Sequence, residues 1–465
     1  MERNTGQSLM RAARRSAVKN TYEEKKRHLV RGFSADSDSG VPVGLEKATS
    51  NLFRDRKKGV RKRPLRVADF KGVLAVDSDA GWVDVEGMTS YAQLVDVTLR
   101  HGVMPRVVPE LKSITVGGAV SGVGVESSSF KYGLVHQTVQ EMEILVGDGR
   151  VLLCRPDNEY ADLFYGFANS YGTLGYALRL KVATVACKPY VALEHIRYTQ
   201  PELLFRELEA RCAEDADFID GVVFAPNELY LTIGRFVDQV PFTSDYTFEH
   251  IYYRSIRSKG TDYLTTYDYI WRWDTDWFWC SKNLFAHHPL VRRIFGRSRL
   301  NSVTYTKIMR WNSRWQVTRR LQKLFGIHSE SVIQDVDIPL SNAAEFLRFF
   351  SREIGILPIW ICPIRARHDA ASFHLYPMDA SQIYINFGFW DLVRSKDPLP
   401  EGFHNRKVET KVKELGGIKS LYSASYYDPD EFWQIYNGAA YERLKAKYDP
   451  LGGFGNLYSK CVLGE

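Results

Sequence analysis

A chain of 465 residues, 45% hydrophobic and 25% charged, has ample material for a buried core and suggests two or three domains. It contains no window of eighteen apolar residues, and its basic start, MERNTGQSLMRAARRSAVKNTYEEKKRHLVRG, has no apolar stretch, so neither a transmembrane span nor a signal peptide is expected. Cys154, Cys187, Cys212, Cys280, Cys362 and Cys461 are scattered without C-x-x-C spacing, which argues against zinc and a dense disulfide framework and points to a reducing, cytoplasmic setting.

In chain order, the first 20 or so residues read as a mobile basic helix or tail. Gly72 to Val76 and Gly81 to Val85 have the short β-rich pattern of strands, and Ser90 to His101 reads as an amphipathic helix. Met142 to Leu145 and Val151 to Cys154 flank a Gly147-Asp148-Gly149 turn as a hairpin, and Tyr160 to Gly166 reads as a helix. After Cys187 the chain becomes rich in Tyr, Trp and Phe with strand-like alternation, as in Val222 to Phe236, Val332 to Ile338 and Gln382 to Gly388. The densest aromatic stretch is Tyr263 to Phe285; such stripes are more often core than cofactor box, yet Arg272, Asp274, Asp276 and Lys282 are interleaved with it.

The net charge of +7 is local, with basic runs at Arg54 to Arg66 and Leu290 to Arg299. Either suits anionic lipid headgroups, at roughly 1 kcal/mol per basic residue near the surface. The first equally suits a solvated loop beside an anionic ligand. No helix-turn-helix, zinc-finger or RNP pattern accompanies the charge, so nucleic acid is not an expected partner.

The most informative segment is Pro109 to Gly133, PELKSITVGGAVSGVGVESSSFKYG. Gly117, Gly118, Gly122, Gly124 and Gly133 permit positive φ and close approach to a ligand, Ser127, Ser128 and Ser129 supply hydroxyls, and successive N–H groups in such turns form an anion-binding concavity. The spacing fits neither the Rossmann nor the Walker pattern.

Thr115-Val116-Gly117-Gly118, the Gly/Ser-rich stretch and Tyr132-Gly133, followed by Gly172-Thr173-Leu174-Gly175-Tyr176-Ala177, resemble the flavin-binding domain of the vanillyl-alcohol-oxidase-type flavoproteins. Within that superfamily the pattern is most similar to the delta-24 sterol reductases, through PEL, TVGG, ESSS and KYG, then Pro358 to Pro363 and Glu431-Phe432-Trp433. The animal members carry a membrane-anchoring N-terminus, which this one does not resemble. The resemblance implies an α+β fold: a basic tail at 1–20, a PCMH-type two-subdomain FAD-binding domain at 21–187, an antiparallel-sheet cap for the substrate at 188–435, and a segment at 436–465 returning to the flavin domain. It also implies FAD contacts from Thr115, Gly117, Gly118, Gly122, Gly124, Ser127, Ser128, Tyr132, Gly133, Gly172, Gly175 and Tyr176. The family's R-G-x-G-H loop, often the site of a covalent histidine, is replaced by Lys47 to Arg54, so FAD is expected to be noncovalent, with Ser50 and Asn51 at the pyrophosphate by register. Lys447, Tyr448 and Lys460 of the closing segment are expected as flavin or domain-packing contacts.

What the resemblance implies for function is reduction of an unactivated, branched C=C bond in a lipid, with NADPH docking transiently at the flavin. One branch reduces the delta-24 bond of sterols. Another, of soluble actinobacterial-type flavoproteins, reduces a mid-chain methylene-branched fatty acyl group made by a partner methyltransferase, and the soluble composition and basic segments favour it. The alternatives are a flavin-linked alcohol or sugar oxidase and a flavin-retaining scaffold for a lipid methyltransferase. Reducing an isolated alkene requires a buried acid and aromatic faces for the developing cation. Asp274, Asp276, Asp335, His374 and Tyr376 are the candidate acids, with Arg272 beside them in the catalytic set. No metal site is expected.

Overall fold

The computed structural model describes residues 20–33, 41–47, 53–54, 62–315, 328–367 and 373–465. The expected N-terminal tail, Ser50, Asn51 and most of the first basic run lie outside the described residues.

The strands in chain order are β1 (Val43–Glu46), β2 (Arg63–Arg66), β3 (Val73–Asp77), β4 (Trp82–Glu86), β5 (Val103–Pro105), β6 (Val139–Leu145), β7 (Val151–Cys154) and β8 (Tyr176–Ala186). They continue with β9 (Tyr190–Tyr198), β10 (Phe218–Ala225), β11 (Glu228–Val237), β12 (Thr261–Thr265), β13 (His328–Pro339), β14 (Ile359–Arg365), β15 (Ile383–Ser395) and β16 (Ile418–Lys419). The chain is α+β, with two subdomains below an antiparallel cap. The first subdomain is the parallel pair β1-β2 with a helix at 20–33, and the second is the antiparallel sheet β3-β4-β8-β6-β7, in which β5 also pairs with β8. The cap is an eight-stranded sheet, β12-β9-β11-β10-β14-β15-β13-β16.

Local chemistry explains the elements. Gly81, at φ +68°, turns β3 into β4. The helix Tyr91–Thr98 starts at a capping box, with Ser90 accepting from the Gln93 N–H and the Gln93 side chain accepting from the Ser90 N–H. Its buried Tyr91, Leu94, Val95 and Thr98 recur at helical spacing, and Gly102 in the left-handed region ends the turn that follows. β6 and β7 form the expected hairpin, with Met142 opposite Cys154.

Strands of the second subdomain's sheet end at Ala186 and those of the cap begin at Tyr190. The chain crosses back at Ser420 to Ser423, earlier than the expected residue 436: the Phe53 N–H donates to the Tyr422 carbonyl (3.0 Å), and Phe53 bridges to Ser423. The closing segment then seals the small subdomain. The Val43 N–H donates to the Gly453 carbonyl (2.6 Å), and Phe454 packs on Phe33 and Tyr176.

Candidate functional site

The glycine-rich segment folds into a short helix, Val116–Gly122, capped by Thr115, whose hydroxyl accepts from the Gly118 N–H (3.3 Å). The Val116 and Gly117 N–H groups donate to the Thr89 and Gly87 carbonyls (2.9 and 2.8 Å). The expected nest of free donors at this turn is therefore replaced by bonds within the protein. Most of the glycines serve approach of chain to chain: a Cβ at Gly117 would lie 2.9 Å from the Gly87 carbonyl oxygen, one at Gly124 2.8 Å from Val135, and one at Gly175 2.6 Å from the Leu145 carbonyl oxygen. Gly133, at φ +76°, abuts Gln137. The serine hydroxyls are engaged too. Ser127 shares a hydrogen bond with the Tyr269 hydroxyl (3.0 Å), Ser128 donates to the Arg106 carbonyl (2.7 Å), and the Tyr132 ring faces the Arg106 guanidinium.

What the helix offers a ligand is a face. Val116, Ala119 and Val120 point into the core, leaving Thr115, Gly118, Ser121 and Gly122 on the open side. That side runs on to Tyr171, whose N–H donates to the Ser121 carbonyl (3.0 Å) and whose hydroxyl donates to the Gly122 carbonyl (3.0 Å). Asn169, Tyr171, Gly172 and Gly175 all have positive φ. Each non-glycine residue in that region costs roughly 1–2 kcal/mol, and such strain concentrates where ligands are held. Tyr176, beyond the turn, packs against Gly172 and Phe454 instead of facing the groove.

The groove ends at Arg54. Its guanidinium lies over the Tyr171 ring (4.9 Å), donates to the Leu421 carbonyl and reaches Cys461 Sγ (3.2 Å). Lys460 Nζ donates to the Tyr171 carbonyl (2.6 Å). Lys447 and Tyr448 instead pair with Asp162, at 2.7 and 2.6 Å, and act in domain packing. Around this junction Arg54 Nη2, Asn169 Oδ1, Ser170 Oγ and Ser423 Oγ are buried without a hydrogen-bond partner. A cation, two hydroxyls and an amide oxygen left open beside an aromatic ring suit a ligand with anionic, heteroaromatic and polar parts.

Residues 37–155 match the family of FAD binding domains. The chain is 28% identical over 408 residues to the Delta(24)-sterol reductase of Homo sapiens, covering 83% of this chain and 75% of that protein. It is 24% identical over 444 residues to the Delta(24)-sterol reductase of Arabidopsis thaliana, covering 88% and 78%. A shorter similarity, 27% over 221 residues, covers 46% of this chain and 41% of Cytokinin dehydrogenase 7 of Oryza sativa subsp. japonica.

The chain is an FAD-dependent oxidoreductase. The groove residues fit the cofactor: Thr115, Gly118, Ser121 and Gly122 would line it, with Arg54, Asn169, Ser170 and Tyr171 offering polar and stacking contacts. Asn169, Ser170 and Tyr171 were not expected as cofactor contacts, although they directly precede Gly172, and Arg54 was expected only as part of the Lys47 to Arg54 segment and of the first basic run.

The flavoenzyme's candidate acids separate by surroundings. Arg272, expected among the catalytic groups, is instead a buried clamp: it pairs with Glu110 and Glu126 (3.1 Å) of the glycine-rich segment and with Asp220 (2.7 Å) of β10, and stacks on Tyr269 at 4.1 Å. Burial pushes Glu110 well above the usual carboxylate range, with the Arg272 charge opposing and the neighbouring Glu126 and Asp220 adding. Asp274 is likewise occupied, accepting from the Ser302 hydroxyl and the Lys112 N–H (3.4 Å).

Asp276 caps a left-handed turn. Trp277, Phe278 and Trp279 all have positive φ, and the Trp279 N–H donates to Asp276 Oδ1 (3.3 Å). Burial raises Asp276 to about 7, but its charged neighbours are Arg292 and Arg254 of the cap. His374 is half-buried and lowered by burial, with Arg443 and Asp162 as neighbours. Tyr376 is buried and donates to Asp337 (2.7 Å), which also accepts from Asn386 (2.7 Å).

Asp335 shares with Asp276 a carboxyl raised by burial and an oxygen without a partner, Oδ2 in Asp276, but differs in place. It lies on β13 opposite Gly388, where a Cβ would come within 2.7 Å of its Oδ1 and run into the Trp390 ring. Oδ1 has no hydrogen-bond partner. Burial raises this carboxyl to about 7, with the charge of Asp337 adding and the Tyr422 hydroxyl opposing. Tyr422, on the crossing strand beside Phe53, accepts from Trp390 Nε1 (2.8 Å). An aromatic wall continues from there, with Phe278 4.7 Å from Trp390 and 5.8 Å from Trp360 between ring centroids.

Proposed function

We propose that this flavoenzyme reduces an unactivated, branched carbon–carbon double bond in a long-chain lipid, converting a mid-chain methylene branch of a fatty acyl group to a methyl branch with NADPH as electron source. A lipid methyltransferase would supply the methylene-branched chain. The observation that carries this reading is Asp335: a half-buried carboxyl raised to about 7, its buried Oδ1 unpartnered, beside a wall of Trp390, Phe278 and Trp360.

FAD, when bound and reduced, supplies the hydride. Asp335 gives its proton from Oδ1 to the terminal methylene carbon, consuming the π bond and placing positive charge on the more substituted carbon. The ring faces stabilise that charge, by ~2 kcal/mol or more where water is excluded, and keep water from capturing it. Hydride addition at the charged carbon completes two new C–H bonds, and Asp335 regains a proton before the next turnover.

Delta-24 reduction of a sterol side chain is the second reading, favoured by similarity to the human and Arabidopsis sterol reductases over more than four-fifths of this chain. The chemistry is the same, and only the carrier of the alkene differs.

Under anaerobic conditions NADPH should bleach the flavin absorbance, and a methylene-branched lipid should restore it with formation of the methyl-branched product. In deuterated water, solvent deuterium should appear on the new methyl group. An alcohol oxidase behaves in reverse, its substrate bleaching the colour and oxygen restoring it. Failure of a lipid shown to bind to restore the absorbance would eliminate alkene reduction. Acid precipitation should leave the flavin in the supernatant, as noncovalent binding requires.

A further inference from the structure

We propose that the cap surface formed by the turn at Phe285 and the helix Pro289–Phe295 docks onto an anionic lipid bilayer, with apolar side chains entering the headgroup layer. The proposal concerns attachment and holds for either lipid carrier of the alkene.

Within the cap the positive charge is concentrated here. Residues 277–329 contain 11 Lys and Arg and no Asp or Glu. Residues 1–66 are basic as well, with 18 Lys and Arg against 7 Asp and Glu, and the sequence outside these two stretches is acidic.

The helix within the cap stretch is turned inside out. Leu290, Arg293 and Ile294, at i, i+3 and i+4, form its outward stripe, with Arg297 exposed on the short turn beyond Gly296, while Arg292 points inward. Arg292 donates to the Ala286 carbonyl (3.2 Å) and to the Phe248 carbonyl. It was expected in the basic surface on sequence grounds, and the structure removes it from that surface. Leu290 is 61% exposed and Ile294 78%. Phe285, 77% exposed, stands on the turn before the helix, its carbonyl accepting from the His288 N–H (3.0 Å). A surface meeting only water has no reason to turn an arginine in and leucine, isoleucine and phenylalanine out. Apolar tips interleaved with cations are the pattern of a helix lying in a membrane interface.

The neighbouring acids do not neutralise the stripe. Arg293 lies 4.0 Å from Glu249 and Arg297 2.8 Å from Asp245, but both pairs are mostly exposed and hold weakly, and Arg299 is exposed as well. The following helix, Ser302–Trp315, packs through Tyr305 on Phe295 at 6.4 Å and carries exposed Lys307 and Trp311, extending the same composition.

The test is co-sedimentation of the flavin-loaded protein with phosphatidylcholine vesicles, with and without phosphatidylglycerol. Binding should require phosphatidylglycerol and weaken with salt. The variant Arg293→Gln/Arg297→Gln/Arg299→Gln should bind on the order of a hundredfold more weakly. Leu290→Ser/Ile294→Ser should lose about tenfold or more, because the apolar tips supply the insertion. In both variants flavin content and turnover of a detergent-solubilised substrate should be unchanged, which separates this proposal from the one on chemistry. Vesicle binding equal to wild type in both variants overturns it. So does binding lost in the arginine variant alone, together with arginine-dependent binding to duplex DNA, which would mark an electrostatic surface for nucleic acid.

Discussion

The two faces of the cap sheet are built from the same strands and share one hydrogen-bond register, yet they differ in kind. On β13, Val332, Val336 and Ile338 point to a layer of helices, Pro201–Arg211, Leu340–Glu353 and Phe403–Glu414, and join Ile219, Leu231, Ile361, Ile385, Phe387, Phe346 and Val408 in an apolar core. Gln334 interrupts that face and is bonded to Asn405 at 2.6 Å. The opposite face looks to the flavin domain and carries Asp335, Asp337, Asn386, Asp220 and Thr232, with His195 bonded to Thr232 at 2.9 Å. Period-two alternation thus assigns stability to one face and polar chemistry to the other. Most groups on the polar face have partners; Asp335 Oδ1, Asn386 Oδ1 and His195 Nε2 have none, and of these three side chains Asp335 is the carboxyl.

If that division is right, Asp335→Asn should lower turnover by about 10²–10⁴-fold while flavin content stays at the wild-type level. Wild-type kcat/KM should fall as pH rises through about 7, because the acid must be protonated, and the Asn variant should lack that limb. Stability follows the same group. The folded carboxyl holds a proton that the unfolded chain releases above about pH 4, so its contribution declines from there to about 7 and is flat beyond. A pH series of urea denaturation midpoints on wild type and Asp335→Asn measures this difference directly. Equal activity in the Asn variant would move the acid elsewhere.

Arg272→Met should destabilise the protein by about 3–5 kcal/mol in the same denaturation assay, since Glu110, Glu126 and Asp220 would lose their shared cation. On the apolar face, Ile338→Val should cost about 1 kcal/mol and leave turnover untouched. The smallest effect is expected at Glu110→Gln, within about 1 kcal/mol of wild type near neutral pH, because burial disfavours the charge of this carboxyl and the amide keeps its shape. A large loss there would mean that Glu110 is ionised and the cluster is organised differently.

The strands and hairpins of both sheets were legible in the sequence because alternation is a local signal: β3, β4, β6, β7, β13 and β15 stand where Gly72 to Val76, Gly81 to Val85, Met142 to Leu145, Val151 to Cys154, Val332 to Ile338 and Gln382 to Gly388 place them. The glycine-rich segment was legible as a place of close approach, but not what approaches. Gly117 and Gly175 meet backbone from residues 30 positions away, which no local pattern encodes. The role of Arg272 was hidden for the same reason, its partners lying 52 to 162 residues distant and drawn from both domains. Arg292 misled because composition reports charge and not direction.

The cluster around Arg272 has a mechanical consequence. Glu110 and Glu126 come from the flavin side, and Asp220 and Arg272 from the cap. Neither side can melt alone without stranding charge in apolar surroundings, so the two sheets should unfold as a single calorimetric unit, with one heat-absorption peak whose van't Hoff and calorimetric enthalpies agree.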